Sequence, residues 1–118
     1  MNPLRILVAL AWATTAAATV AAPLEPQHLL HQYKCYVCHS DDVPKAGPAY
    51  ADIAAAYRSD RRAVSQVSAI IRRGQHGGGP WHMPPHPEVS RAEADAMARY
   101  ILSVERRHGA EAPSTKNP

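Results

Sequence analysis

The sequence is 118 residues long, with 13 lysines and arginines against 10 aspartates and glutamates, seven histidines, two cysteines, no phenylalanine and a net charge of +3. Six of the ten arginines fall in isolated pairs, Arg61-Arg62, Arg72-Arg73 and Arg106-Arg107, without the long basic runs or interleaved aromatics of a nucleic-acid binder, so they read as solvated helix faces. The length allows one small domain, too small to bury a large core from side chains alone.

The chain opens like a secretory signal peptide: Arg5 in a short n-region, an apolar run from Ile6 to Ala13, then Thr14-Thr15 and small residues to Ala22. Ile6 to Ala22 is mostly alanine and threonine, at the lower limit of the roughly 17–25 apolar residues that span a bilayer. Removing residues 1–22 from the 118 leaves 96, and losing Arg5 takes the basic count from 13 to 12. The expected organisation is a signal peptide at 1–22, a single domain at 23–104 and a disordered polar tail at 105–118.

Leu24 to Lys34 predicts a first helix, with Leu29, Leu30 and Tyr33 on one side, and it runs directly into Cys35-Tyr36-Val37-Cys38-His39. This C-x-x-C-H pentapeptide holds both cysteines and reads as a covalent attachment site for a c-type haem. Two thiols at this spacing can add to the vinyl groups of one porphyrin, and His39 is carried under the ring to ligate the iron. A zinc site needs two further ligands, and no third cysteine exists. A thioredoxin-like redox pair needs a βαβ context, whereas the flanks carry helix signals. A plain structural disulfide is the remaining rival.

Asp41 to Pro48 is broken by Pro44, Gly47 and Pro48 and reads as loop; Tyr50 to Tyr57, with Ile53 and Tyr57 four apart, reads as a short helix. Val64, Val67, Ile70 and Ile71 recur at helical spacing, with Ser59 and Asp60 as capping candidates and Gly74 as the stop. Gly77 to Pro80 and Pro84 to Pro87 can only be irregular. Ser90-Arg91-Ala92-Glu93 is a capping box with Val89 placed as its staple, and it opens a last helix whose apolar face is Met97, Tyr100, Ile101 and Val104.

A second axial ligand has to come from the remaining residues. Met1 leaves with the signal peptide, and Met97 lies in the last helix, where methionine is usually core filler. Met83 stands in a loop fixed by prolines and glycines, the setting in which a scaffold holds a ligand. His76, His82 and His86 are rivals: each could make a bis-histidine haem, all three could be ordinary surface residues, and together they could form a separate metal site.

In order and spacing, Lys34-Cys35-Tyr36-Val37-Cys38-His39, Lys45 to Tyr50, Met83-Pro84-Pro85 and Ala98 to Leu102 resemble the small bacterial class I c-type cytochromes, over about Leu29 to Val104. The resemblance implies an all-α fold of about four short helices round one haem c held through Cys35 and Cys38, with His39 and Met83 as axial ligands. It also implies that the Pro48 carbonyl accepts a hydrogen bond from His39, and that the first and last helices cross with Tyr100 at an aromatic position. Trp81 stands nearer the methionine than the tryptophan of relatives, and Ile70 stands where they place an arginine. Trp81, despite that shift, and Arg72, or Arg73, in place of the missing arginine, are the candidates for the haem propionates.

The function implied is that of a periplasmic electron carrier, not an enzyme, whose iron cycles between ferric and ferrous. Its partners would be redox proteins: a dehydrogenase, a cytochrome complex or a terminal reductase or oxidase. They would meet it at the haem edge near the cysteines, with no membrane span left after cleavage. Alternatives are the cytochrome subunit of a periplasmic dehydrogenase oxidising sulfite or an alcohol, and a haem enzyme or gas sensor. The last needs an open sixth position, against which Met83 argues.

Overall fold

The computed structural model describes residues 16–76 and 82–105. Most of the expected signal segment, the Gly77 to Pro80 loop, Trp81 and all but the first residue of the expected tail lie outside the described residues. Those described form four α-helices, one 3₁₀ turn and a single isolated β-bridge, the all-α architecture that the sequence predicts. Among them no helix is long and apolar enough to cross a membrane.

Helix α1 spans Pro26–Gln32, shorter at both ends than the predicted Leu24 to Lys34. Pro26 sets the start, because a proline at the first helical position needs no amide partner and pushes the residue before it to extended backbone; Glu25 has φ −83° and ψ 100°. The other end is closed by the Tyr33 amide on the Leu29 carbonyl at 2.9 Å, after which Lys34 takes a left-handed conformation at φ 59°.

Helix α2 spans Tyr50–Ala56 and α3 spans Ala63–Arg73. Neither Ser59 nor Asp60 is the N-cap of α3; that position is Arg62, which provides no side-chain cap. Asp60 works from two residues further out. Its Oδ1 accepts from the Arg62 amide at 2.8 Å and its Oδ2 from Gln66 Nε2 at 3.1 Å, an Asx-type turn that prepares the helix without occupying its cap. Gly74 stops α3, its amide on the Ile70 carbonyl at 2.8 Å.

Helix α4, Arg91–Ser103, has the full capping box: Ser90 Oγ accepts from the Glu93 amide at 3.2 Å, and the Ser90 amide donates to Glu93 Oε2 at 2.9 Å. Those bonds hold the Glu93 carboxyl below its usual pKa. Val89 and Ala94, the staple positions, are both buried in the core.

Helix α4 packs against each of the other three α-helices. Its buried face is Ala94, Met97, Ala98 and Ile101, and the small alanines let the backbones approach. Leu29 and Leu30 from α1, Tyr50 from α2, and Val67 and Ile71 from α3 complete the cluster with Val89. Polar ties cross the same interface: Tyr33 donates to Glu93 at 3.1 Å and Gln27 to the Tyr100 hydroxyl at 2.9 Å. First and last helices therefore meet at Tyr100, as the resemblance implied.

Met97 has no exposed surface, which identifies it as core filler. Truncating such a side chain removes its transfer energy and leaves a cavity, so Met97→Ala is expected to lower stability by about 2–5 kcal/mol. Denaturant unfolding of the wild type and the variant measures it; a loss within about 0.5 kcal/mol, the level of surface substitutions, would show that α4 does not depend on this residue.

Candidate haem-binding site

The left-handed Lys34 turns the chain out of α1 into the 3₁₀ turn Cys35–Val37. The turn is closed by the Val37 amide on Lys34 O at 3.1 Å and by the Cys38 and His39 amides on Cys35 O at 3.2 and 3.0 Å. In a 3₁₀ turn residues i and i+3 eclipse, so Cys35 and Cys38 fall on the same side. Both thiols are free, Cys35 half-buried and Cys38 exposed, and burial pushes the Cys35 thiol above its usual pKa.

His39 is fixed from three directions. Its Nδ1 donates to the Pro48 carbonyl at 2.7 Å, the bond that the resemblance implied. Its ring stacks on Tyr50, centroids 5.3 Å apart and planes 21° apart. Gly47 covers it so closely that a methyl there would overlap the ring, at 2.8 Å from Nδ1 and 2.9 Å from Nε2. With Nδ1 as the donor, Nε2 is the nitrogen with a lone pair for a metal. The backbone holds this clamp shut: Gly47 N binds Cys38 O at 2.7 Å, Tyr50 N binds Ser40 O at 2.8 Å, and Ala51 N binds Asp41 O at 2.9 Å.

Tyr50 is 1% exposed, and its hydroxyl is buried with no hydrogen-bond partner among the described residues. Burial drives its pKa far above the tyrosine range. An orphaned hydroxyl is costly, and its position beside His39 fits a site completed by a bound group that carries acceptors. Tyr36, edge-on to Tyr50 at 5.6 Å, is likewise raised by burial; its hydroxyl and that of Tyr100 both donate to Asp41, at 3.2 and 3.3 Å.

Met83 lies on the isolated bridge, exchanging both backbone hydrogen bonds with Gln75 at 3.0 and 3.1 Å. It is half-buried, and like Cys35 it packs against the edge of the hydrophobic core. Gly74, at φ +75°, passes beneath the loop: a methyl there would meet the Pro85 nitrogen at 2.8 Å and the Pro84 carbonyl carbon at 2.9 Å. The sequence marks Gly74 only as a helix stop. Its second role, admitting the Met83-Pro84-Pro85 backbone, has no local signature.

Of the rival histidines, His76 and His82 stack on one another with centroids 5.5 Å apart, and His86 Nδ1 is 3.1 Å from Glu88 Oε1. The structure thus brings two of the three together and keeps His86 apart. Arg72 donates through Nε to the Val89 carbonyl at 3.1 Å, and its own carbonyl accepts from the His86 amide at 3.0 Å. It ties the Met83 loop to α3, a role that sequence reading missed. Trp81 lies outside the described residues. Paired thiols on one side of a turn, an oriented imidazole and a thioether on a braced loop are a donor set that fits a c-type haem.

The profile of the cytochrome c family matches residues 26–105. Cytochrome c-551 of Pseudomonas aeruginosa is 36% identical over 104 residues, covering 87% of this chain and 98% of that protein. Cytochrome c-552 of Hydrogenobacter thermophilus is 39% identical over 80 residues, covering 66% of this chain and 80% of that one. Among solved structures, Nitrosomonas europaea cytochrome c552 superposes with a TM-score of 0.64 at 35% identity, over 67% of this chain and 99% of that one.

The two tight glycines give a paired test. Gly74→Ala puts a side chain in a backbone region that is essentially glycine-only and against backbone that cannot rotate away, so it is expected to cost at least about 1–3 kcal/mol. Gly47→Ala must push the His39 ring off Pro48, with a loss of about 1–3 kcal/mol from overpacking and a lower yield of haem-loaded protein. Denaturation midpoints and the haem-to-protein absorbance ratio measure both; wild-type values in either variant would show that the contact yields freely.

Proposed function

Because the chain belongs to the cytochrome c family, as a small class I c-type cytochrome with a covalent haem c used for electron transfer, we propose that it shuttles single electrons in the periplasm between redox proteins. The observation that carries this reading is the orientation of His39, whose Nδ1 is committed to Pro48 at 2.7 Å directly after the two cysteines.

In this proposal Cys35 and Cys38 form the thioether links, His39 Nε2 and the Met83 sulfur are the axial ligands, and Arg72 meets a propionate through the guanidinium nitrogens not used on Val89. Trp81, by its place before Met83, is a second propionate candidate. When bound, the haem supplies a centre that takes up and releases one electron. The chain's task is to keep both ligands still, and the bonds that close the His39 clamp and brace the Met83 loop serve that end. A soft sulfur ligand favours the reduced metal and raises the potential. Val37, between the cysteines, and Val43 are 67% and 59% exposed, and the proposed docking edge lies there, suited to small and short-lived contacts. The periplasmic location rests on the leader-like residues 1–22.

Met83→Ala is the deciding experiment. It is expected to abolish the weak long-wavelength sulfur-to-iron band of the ferric protein and to lower the potential; a wild-type protein that lacks the band, with the variant unchanged in spectrum and potential, would rule out methionine ligation. Removing the thioethers with Cys35→Ala and Cys38→Ala together is expected to leave a largely unfolded or degraded chain, because so small a core needs its covalent staple. Recovery of a folded, haem-free double variant by circular dichroism would contradict that. Location is tested by fractionation: the expected periplasmic form lacks Arg5 by mass spectrometry, and a full-length membrane-bound form would make it a tethered carrier.

A further inference from the structure

The mutual exchange of hydrogen bonds between Gln75 and Met83, at 3.0 and 3.1 Å, fixes what happens one residue further out. In antiparallel pairing a doubly hydrogen-bonded pair is followed by one without hydrogen bonds, whose side chains stand closer. Here the next pair is His76 and His82. Their rings are 5.5 Å apart between centroids, with planes 25° apart, and both residues are exposed. No other function described above uses them.

We propose that His76 and His82 form a two-imidazole clamp for a divalent first-row metal ion of the Zn(II) or Cu(II) type, at the neck of the loop that leads to Met83. Imidazole suits both ions. With Zn–N bonds of about 2.0–2.1 Å and a tetrahedral angle, two bound imidazoles place their ring centres about 5 Å apart, close to the spacing already present. The rings need only turn about their soft terminal torsions for their nitrogens to converge. Among the described residues no cluster of three or more His, Cys, Asp and Glu side chains forms, so water completes the coordination. His86, turned to Glu88, takes no part. The ion would cross-link the two ends of the loop, and binding only the folded protein would stabilise it by mass action.

The test uses the haem-loaded ferric protein and Zn(II), which is redox-silent. Calorimetric titration is expected to show one site in the wild type, with affinity reduced at least about tenfold, the scale of losing a ligand or its support, in His76→Gln and in His82→Gln, and unchanged in His86→Gln. The melting temperature should rise with Zn(II) in the wild type and not in His76→Gln. Should His82→Gln disturb the neighbouring Met83, His76→Gln carries the test alone. Absence of binding, or binding that survives His76→Gln, would overturn the proposal.

Discussion

The position of the His39 ring is the constraint from which the rest of the site follows. An imidazole can serve a metal only if one nitrogen keeps its lone pair outward, and the 2.7 Å bond from Nδ1 to Pro48 decides which nitrogen that is. Pro48 carries no amide, so its carbonyl is the only backbone group it can contribute. Gly47 removes the side chain that would strike the ring, and Tyr50 stacks on the ring. Three consecutive demands of one ring thus account for the Gly-Pro step and the tyrosine two residues later. Helix α2 begins at that same Tyr50, so the ring's orientation is tied through α2 to α4 and the core.

The Met83 side is built differently. It has no helix of its own and borrows rigidity from α3. Gly74 lets the backbone lie close, Gln75 pairs with Met83, the Arg72 carbonyl holds His86, and the Arg72 side chain holds Val89. These ties reach Val89, fully buried at the start of α4. Both candidate ligands are thus anchored to the same helix by separate routes. Such anchoring suits an electron carrier, in which little should move when charge changes.

Much of this was legible in the sequence because it depends on local chemistry. The C-x-x-C-H spacing, the capping box at Ser90 and Glu93, and the loop prolines each act within five residues. The Gln75–Met83 bridge was not legible: a single pair has no alternation to read, and its partners are eight residues apart. Nor was the left-handed Lys34, since a lysine carries no signal for a conformation that costs it roughly 1 kcal/mol. Asp60 misled in a useful way. Its residue type announces a cap, but a carboxylate that binds the amide two residues on creates a turn, and the helix starts later.

Of the thirteen buried hydrophobic residues among those described, five are alanines, and the sequence contains no phenylalanine. Small side chains allow close helix contact but remove little apolar area from water, about 25 cal/mol for each Å². A core of this kind is thin even for so small a domain. Tyr50, the largest fully buried side chain among the described residues, keeps a hydroxyl with no hydrogen-bond partner among them, an expense rarely tolerated where side chains alone make the core. The half-buried residues ranged along the cluster's edge, Tyr33, Cys35, Tyr36 and Met83 among them, are those that a flat apolar cofactor could cover. The composition of the core and the placement of the donors are both what a haem c, the group that the cytochrome c family implies, would complete as a large apolar body.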